Sequence, residues 1–217
     1  MRFKAAIFDL DGTIMDSAPG IVRSVEYALE KMGVEDYDEQ TNLRFIGPPL
    51  LDSFTEYYSM SEEEAARAVA YYRERYSVTG IYEAHMYDGV RELLFELKKR
   101  GVKLYIGSSK PEKFVRMILE KQGILGLFDF VAGATFDESR NNKEQVLTYL
   151  FEQTEIDKNS AVMVGDRYHD IDGAHYMGIP CVAVLYGFGN EAEFKEHGAE
   201  YIAADTDEIL KIIISEE

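Results

Sequence analysis

Ala5-Ala6-Ile7-Phe8-Asp9-Leu10-Asp11-Gly12-Thr13 is an apolar run that ends in two aspartates one residue apart. A short apolar stretch bounded by glycine reads as a buried β-strand, which leaves Asp9 and Asp11 at its C-terminal end. In open parallel α/β sheets, ligands bind at that edge, so the two carboxylates form a candidate site. Two plainer readings are weaker. Asp11-Gly12 would suit a hairpin turn, but no two-residue alternation follows from Ile14 onward. A calcium loop beginning at Asp9 would require Gly and Glu where Ile14 and Gly20 stand.

The 217 residues suffice for one large domain, or for a core with a smaller insertion, and for a sizeable apolar interior. The formal net charge of -17 speaks against nucleic acid or an anionic membrane as partner, because both require a basic face. An anionic substrate must then be met by local positive charge or by a bound cation. The single cysteine, Cys181, lies in an apolar run and reads as a core residue. With no charged-then-apolar leader and no stretch of membrane-spanning length, the expected compartment is the cytoplasm. Nothing in the sequence bears on the oligomeric state.

Downstream of Thr13 the pattern turns helical. Ser17 offers an N-cap and Pro19 a first-turn residue, and Ile21, Val22, Val25, Leu29 and Met32 recur at helical spacing up to Gly33. Residues 45–50 include Pro48 and Pro49 and read as a stiff turn. Ser61 and Glu64 form a capping box for a helix reaching Tyr76. No buried strand is expected between positions 14 and 81, so residues 15–82 read as an all-helical insertion in a core formed by 1–14 and 83–217. In the second core segment, strands are expected at 102–107, 128–132, 160–165, 181–185 and near 201–202, with helices between them. That alternation predicts an α/β fold with a parallel sheet, helices on both faces and right-handed crossovers.

Three more strand or helix ends carry chemistry. Gly107-Ser108-Ser109-Lys110-Pro111 places hydroxyls between a strand and a helix, where hydroxyl and N–H groups bind phosphoryl oxygens. It also suits an ordinary N-cap. Lys143 opens a helix, against the macrodipole, and Arg140 lies close by. The run Val162-Met163-Val164-Gly165-Asp166-Arg167-Tyr168-His169-Asp170 again brings an apolar strand to carboxylates, with His169 expected on the surface.

Asp9-x-Asp11-Gly12-Thr13 resembles the first motif of the haloacid dehalogenase superfamily. Ser108, with Ser109 as the alternative, resembles its second motif. Lys143, with Arg140 as the alternative, resembles the third. Gly165-Asp166-x-x-x-Asp170 closely resembles the fourth. The resemblance implies a Rossmann-like core with a helical cap of the C1 type over 15–82, and a site built from Asp9, Asp11, Ser108 and Lys143. Thr13, Ser109, Lys110 and Arg44 are its candidate substrate contacts. Residues 45–50, with Ser53 and Phe54, resemble the cap loop of the phosphoglycolate phosphatase-like and 5′-nucleotidase-like members.

Four carboxylates against one lysine call for a cation. Two carboxylates about 4 Å apart repel by roughly 4 kcal/mol at an effective dielectric near 20. Hard oxygen ligands facing a phosphate suit Mg²⁺. The resemblance implies that Asp9, the Asp11 main-chain carbonyl and Asp166 bind it, with Asp170 acting through water or behind them. Asp9 would attack phosphorus to give an aspartyl-phosphate, and Asp11 would serve as acid and then base.

The expected activity is Mg²⁺-dependent hydrolysis of a phosphomonoester on a small soluble metabolite, such as phosphoglycolate, a nucleotide or a sugar phosphate. A β-phosphoglucomutase-like transferase uses the same core. A phosphoryl-signalling receiver also groups Asp, Ser or Thr, Lys and acids, but receivers are shorter, carry the acceptor on an internal strand and need no cap.

Overall fold

The four residues Ala5–Phe8 form β1, and all four are buried. The computed structural model describes residues 1–137 and 139–215. A strand covered on both faces must be apolar throughout, which is why this run does not alternate. It lies in the middle of a six-stranded sheet.

In chain order, β1 is followed by β2 (Met15–Asp16), α1 (Ala18–Met32), α2 (Glu39–Leu43), α3 (Leu50–Tyr58), α4 (Glu62–Tyr76) and β3 (His85–Met86). The chain continues with α5 (Val90–Lys99), β4 (Lys103–Pro111), α6 (Glu112–Lys121), β5 (Phe130–Ala134) and α7 (Lys143–Gln153). It ends with β6 (Ala161–Gly165), α8 (Tyr168–Met177), β7 (Cys181–Val184), α9 (Glu191–Glu196), β8 (Tyr201–Ala203) and α10 (Thr206–Ile214). The large sheet has the order β5-β4-β1-β6-β7-β8, and its pairings are parallel. β2 and β3 form a separate two-stranded sheet.

Helices flank the sheet, as expected. On one face Ile7, Tyr105, Met163 and Cys181 pack with Val146, Leu147 and Leu150 of α7 and Ile171 and Ala174 of α8. Side chains alternate across a strand, so Ala6, Phe8, Leu104 and Ile106 serve the other face, where α5 packs on β4 and α10 on α5. Cys181 is fully buried in the first cluster, as its apolar neighbours led us to expect.

The chain forms two compact units, one of Met1–Met15 with the chain from Met86 onward and one of Asp16–His85. The second is helical. Its α4 begins with the expected capping box: Ser61 Oγ accepts from the Glu64 amide at 3.3 Å, and Glu64 Oε2 accepts from the Ser61 amide at 2.9 Å. Helix α1 ends at Gly33 in the left-handed region, with φ 75°. Arg75 joins α4 to Glu83 at 2.9 Å and to Ser24 of α1 at 3.2 Å.

Several boundaries differ from the expectations. The stiff turn is followed directly by α3, since Pro49 with ψ 135° precedes a helix whose Phe54 is fully buried. α2 and α9 also escaped, being only 5 and 6 residues long. Their short stretches carry caps, from Asp38 and Asn190 side chains, but little periodicity. β4 runs to Pro111 rather than 107, because a register shift between Ser108 and Pro111 lets it keep pairing with β5. Two-residue strands such as β2 leave no pattern at all. Among the described residues, no helix is long and apolar enough to cross a membrane.

Candidate active site

Parallel pairing brings the strand ends together. Phe8 lies in register with Ile106 of β4 and Val164 of β6, so the residues that follow, Asp9, Gly107-Ser108 and Gly165-Asp166, emerge side by side at one edge. The Asp9 amide donates to the Val164 carbonyl at 2.9 Å, extending the ladder into the site. Gly12 turns the chain with φ +81°, and a Cβ there would overlap the Asp166 carboxylate. Only glycine meets both demands.

Lys143, at the first position of α7, is buried with its ammonium in this cluster. Its Nζ lies 2.6 Å from Asp170 Oδ1 and 3.1 Å from Asp9 Oδ1, and donates to the Gly107 carbonyl at 2.8 Å. Arg140 is engaged elsewhere: it donates to the Gly133 carbonyl at 2.7 Å, meets Glu112 at 3.2 Å and covers the Tyr149 ring. Of the two bases considered for this position, Lys143 is the one beside Asp9.

Asp170 caps its own helix, with Oδ2 accepting from the Asp166 and Arg167 amides at 3.1 Å each. Ser108 is buried, and its Oγ accepts from the Lys110 amide at 3.3 Å. Lys110 Nζ grips Asp11, at 2.7 Å from Oδ2 and 3.0 Å from Oδ1. Thr13 is buried, and its hydroxyl donates to Asp166 Oδ1 at 3.4 Å. Ser109 follows Ser108 on β4 and is half-buried. Arg44 belongs to the helical unit, where its guanidinium sits 3.9 Å over the Tyr57 ring and meets Glu56 at 3.4 Å.

The electrostatics reflect crowded acids. Burial raises the Asp9 carboxyl to about 6. Lys143 opposes that rise, Asp170 adds to it, a Ser108 hydrogen bond opposes it and Asp11 adds a little. Asp166 stands well above the ordinary carboxylate range, because of burial first and then Asp170 and Asp9. Burial would lower Lys143, but the charges of Asp170 and Asp9 outweigh it and hold the ammonium firmly protonated. His169, expected on the surface, is half-buried against Tyr168 with ring centroids 3.8 Å apart, and burial lowers its pKa.

A divalent cation fits these residues. Asp9, Asp166 and Asp170 each offer a carboxylate oxygen within 4.8 Å of the others. Asp9 Oδ1 and Asp170 Oδ1 share the Lys143 ammonium, at 3.1 and 2.6 Å, so the three carboxylates outnumber the positive charge beside them. Oxygen donors held in excess negative charge are what a hard cation takes.

Two contributors were not singled out from the sequence: Tyr186, whose hydroxyl donates to the Thr13 carbonyl at 3.0 Å, and the Phe188 amide, which donates to Asp166 Oδ2 at 2.8 Å. The glycines alternating at 187 and 189 were the available signal.

Comparison with known proteins bears on this geometry. Residues 6–184 match the family described as haloacid dehalogenase-like hydrolase. Over 215 residues the chain is 39% identical to a 5′-nucleotidase of Pseudomonas aeruginosa, covering 99% of this chain and 97% of that protein. Over 211 residues it is 38% identical to the tyrosine-protein kinase PtkA of Mycobacterium tuberculosis, covering 95% and 71% respectively. The crystal structure of a predicted phosphatase from Clostridium acetobutylicum matches with a TM-score of 0.93 at 40% identity, covering 99% of each chain.

Proposed function

Taking as premise that the chain belongs to the haloacid dehalogenase-like hydrolase family, we propose that this phosphatase hydrolyses a phosphomonoester of a small soluble metabolite, with Asp9 as nucleophile and Mg²⁺ as cofactor. The observation that carries the reading is Asp9 itself, a half-buried strand-end carboxylate 3.1 Å from a buried ammonium and clustered with Asp166 and Asp170. An Asp9 oxygen attacks phosphorus as the ester oxygen leaves, and the product is an aspartyl-phosphate. Asp11 gives its proton to the leaving oxygen. It then takes a proton from the water that attacks phosphorus and releases Asp9, so the carboxyl ends as it began. Lys143 and the Ser108 hydroxyl offset charge on the nonreacting phosphoryl oxygens. Asp9, the Asp11 carbonyl and Asp166 would hold the cation, with Asp170 behind them, and it would add positive charge where the phosphoryl oxygens lie. Thr13, whose hydroxyl faces Asp166, belongs in this scheme to the frame of the site, while Ser109 and Lys110 border the substrate.

The helical unit is assigned the role of a cap that excludes water during the reaction, with Arg44 as its contact to the substrate. The similarity to a 5′-nucleotidase favours a nucleoside monophosphate among the candidate substrates. The similarity to PtkA favours, as a second reading, transfer of the phosphoryl group to a hydroxyl other than water.

Asp9→Asn tests the main reading. The expected result is loss of phosphate release from p-nitrophenyl phosphate with an unchanged circular dichroism spectrum; near-normal turnover would end the proposal. Measuring the product ratio with an added hydroxyl acceptor separates hydrolysis from transfer.

A further inference from the structure

The segment after β7, Leu185-Tyr186-Gly187-Phe188-Gly189-Asn190, supplies no carboxylate or amine to the site, yet its backbone meets Asp166 at several points. The Phe188 amide donates to Asp166 Oδ2 at 2.8 Å. A Cβ at Gly187 would overlap Asp166 Cβ and the Gly12 carbonyl, and one at Gly189 would overlap the Asp166 carbonyl and the Phe194 ring. The loop therefore lies with bare backbone against the aspartate. Its other anchor is Tyr186, whose hydroxyl donates to the Thr13 carbonyl at 3.0 Å and whose ring packs against Tyr87 with centroids 5.0 Å apart. Thr13 closes the circuit, because its own hydroxyl faces Asp166 Oδ1 at 3.4 Å. Each oxygen of Asp166 is thus oriented by a donor that Tyr186 or its neighbours fix in place.

We propose that Tyr186 through Gly189 form a positioning clamp that aims Asp166 at the bound cation and locks it to the Gly12-Thr13 turn. The inference rests on the metal reading given above. Partners that orient a ligating carboxylate tune affinity without touching the ion, and their loss typically weakens binding by about 10- to 100-fold.

The test is Mn²⁺ binding to the full chain, followed by electron paramagnetic resonance of the free ion, beside thermal melts of the same samples. Gly187→Ala, which pushes a methyl into Asp166, is expected to raise the Mn²⁺ dissociation constant at least tenfold. Tyr186→Phe keeps the ring and removes one neutral hydrogen bond, so a rise of about fivefold is expected. Should Gly187→Ala fail to fold, Tyr186→Phe decides alone. Unchanged Mn²⁺ affinity in folded Tyr186→Phe, whatever its melting temperature, would overturn the clamp. Asp166→Asn separates the two levels. If it binds Mn²⁺ as wild type does, the metal reading fails; if it loses Mn²⁺ while the loop variants keep it, only the clamp fails.

Discussion

Lys143→Met removes the ammonium that lies between Asp9 and Asp170 and replaces it with an apolar side chain of similar length. In the wild type that ammonium meets Asp170 at 2.6 Å, Asp9 at 3.1 Å and the Gly107 carbonyl at 2.8 Å, with its own side chain almost wholly enclosed. Deleting one partner of a buried ion pair costs about 3 to 5 kcal/mol, because the other charge stays behind without compensation. For a chain of this size about 1 kcal/mol moves the melting temperature by roughly 2 to 4 °C, so a drop on the order of 10 °C is expected at pH 8 in chelator. The drop must depend on pH. Asp9 already sits at about 6, above its ordinary value of 3.8. The folded protein therefore holds a proton that the unfolded chain releases between those values, and stability falls as pH rises through that window. Lys143 holds Asp9 down; without it the window extends upward. Below pH 6 Asp9 is protonated in both proteins and has less need of the ammonium. The difference in melting temperature should accordingly be largest at pH 8 and shrink at about pH 5.5. An equal difference at both values would refute the claim that the lysine stabilises the fold by neutralising ionised Asp9.

Divalent metal should follow the same sign. If Asp9 ligates Mg²⁺ as proposed, the ion would displace its proton, so the stabilising shift in melting temperature, measured against chelator, should grow as pH rises through about 6. Lys110→Met removes the ammonium that grips the Asp11 carboxylate at 2.7 and 3.0 Å. Turnover should fall more for an alkyl phosphate than for p-nitrophenyl phosphate, whose leaving group needs less protonation, and an equal loss on both would show that Lys110 does not act through Asp11. Ser61→Ala removes half of the α4 capping box and should cost about 1 kcal/mol in denaturant unfolding while leaving kcat unchanged.

Much of this architecture was legible because the core obeys simple periodicities. β1, β6 and β7 are buried on both faces and read as unbroken apolar runs, and the capping box at Ser61 and Glu64 announced α4. Strand ends alone place Asp9, Ser108 and Asp166 on one edge, since parallel register aligns them. What escaped was set by tertiary contact. The extension of β4 to Pro111 depends on a shifted pairing with β5, and α3 depends on burial of Phe54 rather than on a start signal. Whether Lys143 or Arg140 stands beside Asp9 was undecidable from spacing, and it is settled by Glu112 and the Gly133 carbonyl holding Arg140 away. The Phe188 amide was invisible for a simpler reason: a main-chain donor carries no sequence identity.

The most direct test of the account is to trap the nucleophile. Wild-type protein mixed with Mg²⁺ and a turned-over phosphomonoester, quenched in acid and reduced with borohydride, should carry homoserine at position 9, because an acyl phosphate is reduced where a free carboxylate is not. Homoserine at another aspartate, or none anywhere while phosphate is released in a burst, would contradict Asp9 as the group that takes the phosphoryl.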